Sequence, residues 1–266
     1  SKLTPVLIIH GIAGSELYNG EDLIWADLKE MIWNPNNPLD FGDHFLTNNL
    51  MLDENGNSLE PIIASRAIEQ LPDIPIIDAG AFNVDTFKTL RENLESNGYS
   101  LNGNLFYSPY DWRLNLDDSK DLLKGKIDEI KAQTGAQKVN IIAHSMGGLL
   151  AKDYINTYGK DGIDKLIFVG TPHLGAPKAG KVLLAGDNMG IPWLEADRLK
   201  ELASNYPSLH QLLPNQKYFD VFLGYIQKHE NDIFLDHQNT KDFLIGQNSS
   251  SLMMTLAENF WSKNLE

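Results

Sequence analysis

Four short runs along the chain are apolar at nearly every position: Pro5 to Ile9, Leu105 to Ser108, Val139 to Ala143 and Lys165 to Val169. Continuous apolar runs of this length predict strands buried on both faces. Between them the pattern changes to the helical period. Val84, Phe87, Leu90 and Leu94 recur at steps of three and four, which lays one stripe along a helix from Val84 to Asn97 and makes Gly98 its stop. Leu122 to Ile130 repeats the pattern, with Asp118 or Ser119 as its cap and Gly135 at its end. Met146 to Tyr158, closed by Gly159, is a third helix, and Ser251 to Trp261 is another, with Leu252, Leu256 and Phe260 on one face. Strands alternating with helices predict an α/β fold with a parallel sheet and right-handed crossovers.

Two stretches break the alternation. Tyr18 to Gly80, rich in Asn, Asp and Pro, is too long for a simple loop and is expected to be an insertion with short elements of its own. Pro177 to Pro214 reads as helical over Lys181 to Leu184 and Glu195 to Tyr206, with a turn at Gly186-Asp187-Asn188-Met189-Gly190. Insertions at the C-terminal ends of strands form lids and substrate surfaces in α/β proteins, so this second stretch is expected to be a lid. The predicted organisation is one domain over residues 1–266 carrying both insertions. Trp25, Ile32, Trp33 and Phe41 in the first insertion, with Trp193 and Leu194 in the second, make either a lipid-facing surface or a small satellite core.

Composition narrows the chemistry. The chain has 266 residues, of which 42% are hydrophobic and 22% charged, the balance of a globular protein rather than a disordered one. No apolar run is long enough for a spanning helix, and Ser1 to Pro5 shows no signal segment, which either never existed or was removed, so a soluble chain is expected whose localisation is open, with secretion or surface association among the readings. With 36 acidic and 22 basic residues the formal charge is -14, which repels phosphate backbones and makes nucleic acid a poor partner. Neutral or zwitterionic lipid suits that charge better. The absence of cysteine removes disulfides, thiolate metal sites and a Cys nucleophile together, and leaves the compartment open.

The segment that carries chemistry is Val139-Asn140-Ile141-Ile142-Ala143-His144-Ser145-Met146-Gly147-Gly148, an apolar strand running directly into a helix with Ser at the junction. This is the pattern of a nucleophile elbow, in which the residues two before and two after the Ser must be small; here they are Ala143 and Gly147. The plainer reading is that Ser145 caps the helix. The strand before, the helix after and the earlier His10-Gly11-Ile12-Ala13-Gly14 loop favour the nucleophile. Helix N-terminal N–H groups and a Gly-rich loop together suit a developing oxyanion, with the N–H groups of Met146 and Ile12 as donors. His10 lies on the oxyanion side and is read as a structural hydrogen-bonding residue with no proton to transfer.

These residues resemble the lecithin-cholesterol acyltransferase family, which includes plant phospholipid:diacylglycerol acyltransferases and related phospholipases. Pro5 to Leu17 looks like the family's opening, with His10 where the family usually has Pro. Tyr107-Ser108-Pro109-Tyr110-Asp111-Trp112-Arg113 matches its Pro-Tyr-Asp-Trp-Arg segment, and Gly170-Thr171-Pro172-His173-Leu174-Gly175-Ala176 is similar to its Gly-Thr-Pro segment. Ala185 to Pro192 and Pro207 to Pro214 look like the segments flanking its lid. The resemblance implies an α/β-hydrolase fold and a Ser that takes an acyl group from a lipid ester and passes it to water or an alcohol, with no cofactor and no metal. Asp111, Trp112, Arg113 and His144 become candidates to line the substrate site; the alternative for Asp111 and Arg113 is an ion pair that braces the loop.

A triad in this fold runs Ser, acid, base in chain order over two further strands. After Ser145 only Lys165 to Val169 reads as a strand, so the acid and base are unassigned and the chain is expected to stop before them. Ser145 would then turn over slowly, and the edge of that last strand would invite self-association. Local service by Asp232 or Asp236 with His237, or a metal held by His229, Asp232, Asp236 and His237, is a weaker alternative to a solvated polar loop. His173 is out of chain order for a base. A second reading of the whole is a non-catalytic module that binds lipid or protein, and a third is a small-ester hydrolase of another family.

Overall fold

The protein is described by a computed structural model over residues 3–26, 43–70, 86–187, 196–228 and 232–265. The elements begin with β1 (Val6–Ile9), β2 (Ser15–Asn19), β3 (Asp22–Trp25), α1 (Asp43–Leu50), β4 (Ile62–Ala67), α2 (Lys88–Ser96) and β5 (Leu105–Ser108). There follow α3 (Leu116–Thr134), β6 (Val139–His144), α4 (Met146–Tyr158), β7 (Ile163–Val169), α5 (Pro177–Ala185) and α6 (Ala196–Ala203). The chain continues through α7 (Pro207–Gln211), α8 (Gln216–Val221), β8 (Gln227–Lys228), β9 (Ile233–Phe234), α9 (His237–Gly246) and α10 (Ser251–Asn264). Contacts divide it into two compact units: Ser1–Leu28, Ile62–Trp112 and Asp117–Thr171 form the first, and Lys29–Pro61, Arg113–Leu116 and Pro172–Glu266 form the second.

The first unit is built on a parallel sheet in the order β5-β1-β6-β7. All four predicted strands are therefore present and share one sheet. β1 sits inside it, with every residue buried, and Ile8 lies level with Tyr107 of β5 and Ile142 of β6. On that face Val6, Ile8, Leu105 and Phe87 form a core that Leu90 and Leu94 of α2 complete. The helix begins at Lys88, later than the stripe predicted, because Phe87 occupies the cap position with its ring in the core; Val84 lies outside the described residues. α3 is longer than predicted and starts at Leu116, so Asp118 and Ser119 fall in its first turn instead of capping it. β7 departs from the expectation of a buried strand: Ile167, Phe168 and Val169 are 50%, 40% and 45% exposed, because β7 is the sheet edge among the described residues. The first insertion contains a small antiparallel sheet, β3-β2-β4, which begins at Ser15 rather than Tyr18.

The second unit is largely helical, and α7 packs along α10. Its α6 ends at Ala203 and not at Tyr206, which instead precedes α7, where Pro207 starts a new helix without needing an N–H partner. Gly186 takes a positive φ of 69° after α5; Asn188, Met189, Gly190, Trp193 and Leu194 lie outside the described residues, as do Ile32, Trp33 and Phe41. The segment 113–116 is anchored within this unit. Arg113 is fully buried and donates to the Leu50 carbonyl and the Ser58 hydroxyl, both at 3.0 Å, while Ser208 donates to the Arg113 carbonyl. Gln211 accepts from the Leu116 N–H and donates to the Asn115 side chain.

Candidate active site

The turn from β6 into α4 sets Ser145 in a conformation that side-chain-bearing residues rarely adopt, with φ 53° and ψ -127°. Its N–H donates to the Val169 carbonyl at 2.8 Å, and its own carbonyl accepts from the Gly148 N–H. Space explains the small residues around it. A Cβ on Gly147 would stand 2.3 Å from the His10 carbonyl oxygen, and one on Gly11 would stand 2.7 Å from Ser145 Cβ and 3.1 Å from its Oγ. The His10–Gly11 corner at the end of β1 thus lies against the Ser145 side chain, as sequence reasoning anticipated.

The loop after β1 is held at almost every peptide. Gly14 donates to the Gly11 carbonyl at 3.2 Å, closing a turn in which Ala13 has φ 59°. The Ala13 carbonyl accepts from Trp25 Nε1 at 2.9 Å, and the Gly14 carbonyl from the Ile68 N–H at 2.9 Å. Trp25 is accordingly a core residue of the first unit, with its ring edge-on to Trp112. These bonds fix the loop's backbone in one arrangement. Met146, fully buried, opens α4 directly after the Ser.

The candidate substrate residues fall into different settings. His144, the last residue of β6, is half-buried with its ring edge-on to Phe87 at 5.9 Å, and burial holds its pKa below the usual value. Trp112 is buried and donates from Nε1 to the Ser15 carbonyl at 3.3 Å. Asp111 is 9% exposed. Arg113, with its guanidinium donating to Leu50 and Ser58 inside the protein, fits the bracing alternative. Sequence reasoning missed the Glu69 cluster: its carboxylate takes Arg91 Nε at 2.8 Å and the Tyr107 hydroxyl at 2.9 Å, while its carbonyl accepts the N–H groups of Thr86, Phe87 and Lys88 at the start of α2. Only the Arg91–Glu95 pair, one helical turn apart, was readable from spacing.

Among the described residues no group of three or more His, Asp or Glu could hold a metal. Asp236 caps α9 by accepting from the Asn239 N–H, His237 packs on Phe219, and His229 lies outside the described residues. His173 is exposed and its carbonyl accepts from Asn215. The second unit carries a half-open apolar pocket of about 220 Å³ lined by Leu213, Phe219, Tyr225, Leu244, Met254 and Trp261 among others. No helix among the described residues is long and apolar enough to cross a membrane.

A parallel sheet whose strand-to-helix turn carries a strained Ser, faced by a Gly-rich loop from the neighbouring strand, defines an α/β-hydrolase. A chain in the crystal structure of the Tle4–Tli4 complex shares this fold, with a TM-score of 0.57 at 13% identity over 98% of this chain and 71% of that one. The sequence model of lecithin:cholesterol acyltransferase matches residues 21–264, and the chain belongs to that family. Phosphatidylcholine-sterol acyltransferase of Mus musculus is 37% identical over 42% of this chain, and the putative phospholipid:diacylglycerol acyltransferase 2 of Arabidopsis thaliana is 28% identical over 71% of it. These matches span 27% and 31% of the relatives' own lengths, about a third of each or less.

Proposed function

We propose that the chain is a serine-dependent lipid acyl ester hydrolase or acyltransferase. Ser145 Oγ attacks the ester carbonyl, the oxyanion of the tetrahedral intermediate rests on the Ile12 and Met146 N–H groups, and the C–O bond to the lipid alcohol breaks, the alcohol leaving with the proton given up by the Ser145 hydroxyl as the acyl-enzyme forms. Water or a second alcohol then takes the acyl group. The observation that carries this reading is the Ser145 backbone at φ 53°, with the Gly11 corner against its Oγ. Strain of this kind costs about 1–3 kcal/mol and persists where it exposes a working side chain. The relatives' names, a phosphatidylcholine-sterol acyltransferase and a lysosomal phospholipase A and acyltransferase, support phospholipid as acyl donor, and the formal charge of -14 favours a zwitterionic headgroup over an anionic one. His144, half-buried beside the nucleophile, is the member of the substrate-lining set best placed to meet that donor.

A fluorophosphonate probe tests this directly. The chain is expected to be labelled on Ser145 and the Ser145→Ala variant left unlabelled; equal labelling of the two overturns the nucleophile assignment. Release of fatty acid from phosphatidylcholine vesicles, with and without an added alcohol, separates hydrolysis from transfer. The apolar pocket of the second unit favours one other reading, a lipid-binding module without chemistry, which predicts lipid binding with no labelling at all. We also infer self-association through the exposed edge of β7.

A further inference from the structure

His10 makes no move in the acyl-transfer scheme, yet it is fully buried and bonded at both ring nitrogens. Nε2 accepts the Tyr110 N–H at 3.2 Å and therefore carries no proton. Nδ1 then bears the hydrogen, and it lies 2.7 Å from the Gly11 carbonyl oxygen, to which it donates. The ring is stacked on Tyr110 with centroids 4.3 Å apart and planes 8° from parallel, and the Tyr110 hydroxyl donates back to the His10 carbonyl at 3.0 Å. Gly14 leaves room for the ring, since a Cβ there would stand 2.8 Å from Nδ1.

The Gly11 carbonyl and the Ile12 N–H belong to one peptide plane, and in a trans peptide they point in opposite directions. Fixing the carbonyl fixes the N–H. From this geometry we propose that His10 is a positioning residue for oxyanion recognition: its Nδ1–H holds the Gly11–Ile12 peptide so that the Ile12 N–H is aimed at the oxygen that becomes charged. The inference rests on the nucleophile and oxyanion assignment proposed above. Two bonds meet at the Gly11 oxygen, from His10 Nδ1 and from the Gly14 N–H, and both polarise the peptide so that its N–H becomes a better donor. Burial holds the His10 pKa at about 4, so the ring stays neutral in ordinary buffers and Nε2 stays free to accept.

The test compares fluorophosphonate inactivation of the 266-residue chain with that of His10→Leu and His10→Asn, each confirmed as folded by circular dichroism. His10→Leu removes the donor, and His10→Asn keeps an N–H near the place of Nδ1. His10→Leu is expected to lower the maximal inactivation rate about 10- to 100-fold with the apparent binding constant changed less than about twofold, and His10→Asn to recover most of the loss. A folded His10→Leu that reacts at the parent rate overturns the proposal, as does a folded His10→Asn no faster than His10→Leu. Histidine 15N NMR of the unmodified chain gives a readout independent of variants and of activity. His10 is expected as the Nδ1–H tautomer from about pH 5 to 8, and the Nε2–H tautomer overturns the proposal even if His10→Leu does not fold. Failure of the unmodified chain to label at all overturns the nucleophile assignment instead, and the tautomer is still decided by the spectrum.

Discussion

Arg113 shows how one residue can look like substrate chemistry in the sequence and belong to the interior in the fold. Its guanidinium donates to the carbonyl that ends α1 and to a loop hydroxyl, and no part of the residue is exposed. Replacing it with Leu is expected to destabilise the second unit by about 3 kcal/mol, because the Leu50 carbonyl loses a charged donor in a buried place. The urea midpoint checks this; a role in headgroup binding would instead weaken binding of phosphatidylcholine vesicles with the midpoint unchanged. The sequence marked Arg113 as important and could not say for what, since its partners lie 63 and 55 residues away. The same distance hid Glu69, which meets Tyr107 across 38 residues. Ser145 was legible because its elbow pattern, from Ala143 to Gly147, is contiguous in the chain, whereas its contacts with Val169 and Gly11 were not.

Elements were legible where their signal was local. The parallel strands declared themselves by continuous apolar runs, and α4 by its stripe and by Gly159, whose φ is 80°. Boundaries set by tertiary contact were not: Phe87 shortened α2 by joining the core, and the beginning of α3 was pulled back to Leu116 by bonds to Gln211. The β6–α4 elbow has little tolerance. Gly147→Ala places a carbon 2.3 Å from a backbone oxygen and 2.9 Å from Ile9 Cγ2, neither able to turn away, and is expected to cost about 2–3 kcal/mol in urea unfolding. β7 carries the opposite liability. Placing Lys at Ile167 or Val169 is expected to weaken concentration-dependent association in sedimentation velocity, since a charge on an edge opposes strand pairing; association unchanged by either substitution would remove β7 as the contact.

Over the whole molecule, each compact unit buries a neutral histidine, His10 in the first and His210 in the second. His210 contacts the Tyr206 carbonyl through Nδ1 at 2.9 Å, and its Nε2 has no partner among the described residues. Burial lowers both pKa values to about 4, whereas the unfolded rings take up a proton near pH 6.5. Between these values the unfolded chain binds more protons than the folded one, so stability is complete above pH 6.5 and falls as the pH drops, by up to about 3 kcal/mol per ring. Urea midpoints at pH 7 and pH 5 check the loss, and His210→Asn is expected to flatten it. The proposed oxyanion cradle has one more consequence, which concerns any survey of variants. Its donors are main-chain groups at residues 12 and 146, so every replacement except proline leaves them in place, and a saturation screen scored by turnover would register the surrounding glycines and His10 while reaching the groups that touch the charge only through its proline variants. An ester in place of the Gly11–Ile12 amide, introduced by chemical ligation, deletes that donor with no side chain changed, and also weakens the Gly11 carbonyl as an acceptor for His10 and Gly14.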